Sequence, residues 1–446
     1  KQISLEAELR DFAVKPALEG ALPLRGVHGK ITMANGVLAL ANFRGFYGDS
    51  RLDRGDGSYD FAGAAPGKLD LAVRGDLNLA ELAAQIKSRQ FYARTSKITS
   101  SVQELNGRAK VDLALKRAPG AALQFDGKAV LDRARLRLDD VAITDLRGEL
   151  AFTPKEITSE QIGAQVAGSP IQIRLALKDY QEDDGSFELA VDSTGVKAAV
   201  LARLLLDTGA PQDPGIVRGN VRYSGSFGDQ KRRKFTGDLD LVNVQLLVHP
   251  LLQPLRELNG KIRIDDTGID FQNLKTLLVG VPASGSGRWH YTEKHQLFYG
   301  FPGPSLDITY LISQIDPESS DFYATLVAAG KIALSKGRIK NFDFSELKTD
   351  ATIDHRVWRL SNLNARSAGG TIQGITTIFD RPETLGVEAE PKVQGVPVQS
   401  FLKWFDITNT EITGKVTLTG KLETVGKNDV ERKQNLNGAF HMNIED

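Results

Sequence analysis

No cysteine occurs among the 446 residues, which removes disulfide staples, thiolate metal sites and a cysteine nucleophile. The same absence fits an oxidising compartment, where stray thiols are a liability. Net charge is missing too, because 56 lysines and arginines balance 56 aspartates and glutamates. A nucleic-acid binder draws its affinity largely from neutralising phosphates, so this balance argues against one. There is no run of about eighteen apolar residues of the kind that spans a bilayer as a helix. No leader is visible either: the chain opens in the strand-like Lys1-Gln2-Ile3-Ser4-Leu5-Glu6-Ala7 and stops in the alternating Phe440-His441-Met442-Asn443-Ile444. It reads as a fragment of a longer protein, with any targeting or anchoring segment outside it.

What is present is alternation. In Ile171-Gln172-Ile173-Arg174-Leu175-Ala176-Leu177-Lys178 every second side chain is a large aliphatic, the mark of a β-strand with one apolar and one wet face. This strand follows Gly168-Ser169-Pro170, which lies 20 residues after Gly148 in Leu146-Arg147-Gly148-Glu149-Leu150. The layout recurs from Val27-His28-Gly29 to Gly48, from Leu258-Asn259-Gly260 to Gly280, and from Leu347-Lys348-Thr349 to Gly369. Each copy runs on to a short helical stretch starting at Leu79, Val196, Ile308 or Val398. Agreement at three landmarks in four places predicts a repeat architecture. Length alone would allow two to four domains. The repeats instead suggest one elongated body, 1–446, with cores near 27–91, 146–207, 258–315 and 347–405, and a further repeat beginning at 436–446.

Along the chain, Asn35-Gly36 signals a hairpin. Leu79, Leu82, Ala83 and Ile86 form one stripe of an amphipathic helix, with Asn78 as its cap. Ile308, Leu311, Ile312 and Ile315 repeat those intervals, as do Val398, Phe401, Leu402 and Phe405. The helix from Val196 to about Leu206 is less regular, because Arg203 interrupts its stripe. Pro250 and Pro254 rule out a long helix between Gln245 and Leu258. Each unit is thus several antiparallel strands and one short helix. So much apolar sheet needs a cover, and a second sheet, closure into a barrel, or a ligand would each supply one.

Candidate chemistry is sparse. His28, His249, His290, His295, His355 and His441 are scattered, and the five-residue interval between His290 and His295 is not a zinc spacing. The doublets Asp139-Asp140, Asp183-Asp184 and Asp265-Asp266 admit calcium or glycoside chemistry, but they read better as turn residues. Gly285-Ser286-Gly287 lacks the strand-to-helix setting of a phosphate loop, and the basic run Lys231-Arg232-Arg233-Lys234 reads as a solvated hairpin tip. No catalytic constellation, metal site or cofactor site emerges, and the chain is not expected to be an enzyme.

The Leu-x-Gly-x-hydrophobic openings at Leu105, Leu146, Leu258 and Leu436 resemble those of the AsmA-like family of bacterial envelope proteins. So do the phrase Ala167-Gly168-Ser169-Pro170-Ile171 and the short helices after alternating strands; YhdP-type members are nearest. The resemblance implies a mainly β fold: a long, twisted antiparallel sheet rolled into an open groove with an apolar floor. It implies a Gram-negative periplasmic bridge, anchored in the inner membrane by a segment absent here, that carries phospholipid or another acyl-chain lipid to the outer membrane. Inner- and outer-membrane components would be met through segments outside this chain.

The physics suits such a role. A buried methylene contributes about 0.8 kcal/mol, so an acyl chain of about sixteen carbons exposed to water costs roughly 12 kcal/mol. A continuous apolar strip removes most of that barrier. Ile171, Ile173, Leu175, Leu177, Ile262, Ile264 and Phe271 are the expected lining residues. The competing expectation is a structural or assembly scaffold for outer-membrane biogenesis, with a self-packed β core and no lipid cargo.

Overall fold

A computed structural model describes residues 4–15, 22–61, 67–88, 102–138, 141–180, 182, 184–199, 215–246, 252–291, 296–314, 324–381, 383–408 and 411–446. The chain is mainly β, and its strands build a large mixed sheet that does not close into a barrel. It divides into two compact units, Lys1–Ala210 with Arg218–Thr236, and Pro211–Val217 with Gly237–Asp446.

In the first unit β1 (Ser4–Val14), β2 (Leu24–Ala34), β3 (Val37–Tyr47), β4 (Ser50–Asp60) and β5 (Lys68–Asn78) pair antiparallel in order. Helix α1 (Leu79–Ser88) follows. Asn78 caps it as expected, its side-chain oxygen accepting from the amides of Ala80 at 3.0 Å and Glu81 at 3.4 Å. Glu81 then reaches back to the β3–β4 turn, accepting from the Asp49 amide at 2.6 Å and the Ser50 hydroxyl at 2.8 Å. The ladder continues through β6 (Val102–Arg117), β7 (Gln124–Leu138), β8 (Val141–Phe152), β9 (Glu156–Val166), β10 (Ser169–Lys178) and β11 (Ser186–Lys197). Phe187 and Tyr223, with ring centroids 5.0 Å apart, bring β12 (Ile216–Ser226) beside β11.

The second unit begins with β13 (Lys234–Leu246), β14 (Leu255–Asp265), β15 (Gly268–Leu278), β16 (Val281–His290) and β17 (Gln296–Asp307), paired antiparallel, and then helix α2 (Ile308–Ser313). Next come β18 (Val327–Ile339), β19 (Phe342–Asp354), β20 (Val357–Ser367), β21 (Gly370–Asp380) and β22 (Leu385–Pro397), then helix α3 (Val398–Lys403). It ends with β23 (Lys415–Gly426), helix α4 (Asp429–Gln434) and β24 (Asn437–Glu445).

Two expectations need correction. The sheet is not wholly antiparallel: β17 and β18 run parallel, from Gln296 beside Val327 to Asp307 beside Arg338. A parallel pair cannot be joined by a tight turn, so the segment that includes α2 carries the chain back to the starting end of the sheet. Val196 does not start a helix. It is the penultimate residue of β11, 4% exposed, and helical backbone begins only at residue 198. A β-branched side chain facing the core extends the strand. Arg203, Ile315, His249, His295, Asp139, Asp140 and Asp183 lie outside the described residues.

The repeat landmarks acquire a physical meaning. Ala167-Gly168, Val279-Gly280 and Ala368-Gly369 each place two successive residues at positive φ, as does Asn35-Gly36. That is the two-residue hairpin turn whose twist matches its strands, and glycine at its second position avoids a steric penalty. Three residues before each opening landmark, Gly26, Asp145, Glu257 and Glu346 also have positive φ, between 51° and 56°. Such single left-handed residues interrupt the ladder and tighten its twist.

Candidate functional site

The Leu-x-Gly opening places both residues on the inner face of the sheet, because they are two apart in a strand. Val27, Leu146 and Leu258 are buried there. The glycine leaves room for a large side chain from the next strand: Phe43 over Gly29, Ile162 over Gly148 and Leu274 over Gly260. In the fourth copy Thr349 replaces glycine, and its hydroxyl, 6% exposed as a residue, donates to the Ser361 carbonyl at 2.9 Å.

In the first unit this inner face is well packed where α1 meets the sheet. Leu79, Ala109, Ala134, Leu146, Ile162 and Ile171 belong to one buried cluster. Of the expected lining residues, Ile171 is part of that cluster at 5% exposed and Ile173 packs against it. Leu175 and Leu177 continue the same stripe of β10, half-buried, beside Leu189 and Phe187 of β11. In the second unit Ile262 pairs with Phe271 and Ile264 with Ile269 across β14 and β15. Ile264 is 9% exposed, while Ile262 and Phe271 are half-buried. Each set is brought together on one strand pair within its own unit.

An apolar hollow lies elsewhere, over β19 and β21 to β24. There a cavity of about 530 Å³ is lined by twelve side chains, all apolar. Val393, Leu418 and Leu422 belong to its sheet floor. α3 and the turn after it contribute Phe401, Trp404 and Phe405, and Trp404 stacks edge-on against Phe342 at 4.7 Å between centroids. Leu436, Phe440 and Met442 complete the lining at 47%, 49% and 52% exposed. Such a volume lies within the ordinary range for a ligand site. Sequence reading missed this concentration. The stripe Val398, Phe401, Leu402, Phe405 reads as core from its spacing, and the aromatic excess in Phe401-Leu402-Lys403-Trp404-Phe405 was the signal available.

The outer face is wet and locally neutral. Arg174 meets Asp192 at 2.8 Å, Arg74 meets Asp112 at 2.9 Å and Lys128 meets Glu149 at 2.7 Å across neighbouring strands. The equal counts of acid and base thus appear locally as pairs. Hydrogen bonds donated to the carboxylates of Glu149 and Glu390 raise the Lys128 and Lys421 ammoniums above their ordinary value.

Asp265 is a turn residue. Its carboxylate accepts from the Thr267 amide at 2.8 Å, the Thr267 hydroxyl at 2.6 Å and the Gly268 amide at 3.0 Å, and Arg288 approaches at 2.9 Å. The Thr267 hydroxyl first, and Arg288 second, hold its pKa well below the usual carboxylate range. Arg288 also meets Asp270 at 2.5 Å. This grouping serves the β14–β15 hairpin and offers neither a raised general acid nor a paired nucleophile. His290 packs its ring against Phe298, centroids 5.6 Å apart. Among the described residues no three metal-ligating side chains converge, and no helix is long and apolar enough to cross a membrane. No family model, curated protein or solved structure matches the chain.

Proposed function

We propose that the chain binds lipid through its one-sided apolar sheet, shielding acyl chains as part of a periplasmic bridge that moves phospholipid between inner and outer membrane. In this reading the sheet is an open groove whose repeats each bring one short helix to the rim. The observation that carries it is the cavity walled by Phe342, Trp404, Leu418, Phe440 and Met442 with no polar side chain in its lining. Its wall matches the chemistry of a hydrocarbon chain, and the half-buried stripe Ile173, Leu175 and Leu177 offers similar chemistry in the first unit. The resemblance to AsmA-like envelope proteins points the same way.

Native mass spectrometry of the purified chain tests the reading, together with photocrosslinking from a photoreactive residue at Phe440 or Ile173. Lipid adducts at both positions are expected. A purified chain with no lipid and no adduct at either position would remove it. The scaffold reading draws on the first unit, where Ala134 is 0% exposed and Val27 2% exposed. It expects adducts to protein only.

A further inference from the structure

The rim of the β19–β24 cavity carries a second feature. Three lining residues from separate segments, Phe342, Phe405 and Leu436, are each flanked by charged or amide residues that meet one another. Phe342 follows Lys340 and Asn341 in the β18–β19 turn, Phe405 precedes Asp406 at the end of α3, and Leu436 comes just after Lys433 on α4. Lys340 Nζ lies 2.5 Å from Asp429 of α4, 89 residues away in sequence. Lys433 Nζ lies 3.3 Å from Asp406, and the same carboxyl group accepts from the side-chain amide of Asn341. Arg432 also pairs with Asp429. These three segments, each carrying a lining residue, are therefore tied to one another.

We propose that this network is a charged clasp that gates the cavity for a single acyl chain, a statement that rests on the lipid-binding reading above. The pairs hold α3, α4 and the β18–β19 turn together beside the cavity. Lys340, Asp429, Lys433 and Asp406 have side chains 64%, 56%, 71% and 59% exposed. Exposed ion pairs are individually weak and are screened by salt, which suits a closure that must reopen. The polar groups stand beside an interior that holds none, so the occupant's uncharged hydrocarbon enters while its polar end stays at the clasp.

The absence of cysteine makes the test clean. In the full chain carrying K340C and D429C, a short reversible bis-methanethiosulfonate ties the turn to α4. The probe is cis-parinaric acid, a fluorescent fatty acid, followed by stopped-flow mixing. The cross-link is expected to slow both its uptake and its release by about tenfold or more, as for other closing lids, and reduction restores both. Removing the pairs with D406N and D429N is expected to raise both rates by about two- to fivefold. If the fatty acid binds and the cross-link changes neither rate, the clasp falls and the lipid-binding reading stands. If the unmodified chain binds no fatty acid, both fall.

Discussion

Gly148 and Ile162 are in such close contact that a methyl group on the glycine would stand 2.9 Å from the Ile162 Cα and 2.5 Å from the Gln161 carbonyl oxygen. Gly148→Ala is therefore expected to destabilise the first unit by about 1–3 kcal/mol through overpacking of backbone that cannot withdraw. Gly168→Ala is a useful contrast: at φ +79° with nothing within 4 Å, it carries backbone strain alone, about 1–2 kcal/mol. Urea unfolding of both variants checks the order, and an equal or reversed ranking would refute the account of the Leu-x-Gly opening.

Thr349→Val removes the hydroxyl that serves the Ser361 carbonyl at a position 6% exposed. The carbonyl oxygen loses this bond, and the second unit is expected to lose about 1–3 kcal/mol. A variant as stable as the parent in urea would show that the threonine is only a spacer.

Asp265 supplies a pH signature. Its folded pKa is depressed, so its contribution to stability is present above the unfolded value, near the ordinary 3.8, and fades as pH falls through the lower folded value. The stability gap between the parent and Asp265→Asn should hold steady from neutral pH down to about 4 and shrink below it. A gap that narrows between pH 7 and 5 would contradict the geometry around Thr267 and Arg288.

Trp404 reports on the cavity it lines. Dibromostearate is expected to quench the parent's tryptophan emission, and Trp404→Phe should abolish most of that quenching. Quenching that survives the substitution would place the hydrocarbon elsewhere.

Met442 faces the cavity while being half exposed, so a charge there should leave the fold intact. Met442→Glu is expected to weaken fatty-acid binding by about tenfold or more, since the carboxylate would meet the bound chain without a partner.

Much of the architecture was legible because its causes are local. Alternation in Ile171–Leu177 and the turn pairs at Gly168, Gly280 and Gly369 each impose backbone geometry within a few residues. The helix starts at Leu79, Ile308 and Val398 followed from spacing, and Asn78 from its capping chemistry. The parallel β17–β18 pair was hidden, because strand direction depends on the path through the intervening segment rather than on either strand. The cavity was hidden for a related reason. Phe342, Trp404 and Met442 are far apart in sequence and converge only when α3 folds over the floor, and no period in any one stretch encodes that meeting.

The parallel pairing preserves parity in the second unit. Every hairpin returns the chain to the end of the sheet it left, so an even number of strands between two repeat copies keeps their orientation. Only β18 stands between the strand that leads into α2 and the copy that opens with β19. Were β18 antiparallel to β17, the next copy would start upside down, and α3 would emerge at the opposite edge from α2. Crossing back instead sets Leu297 beside Ala328 and Phe301 beside Ile332, carrying one oily surface through the irregular join. Growth or loss in such a ladder must therefore proceed by whole hairpins, or by one strand together with a crossover.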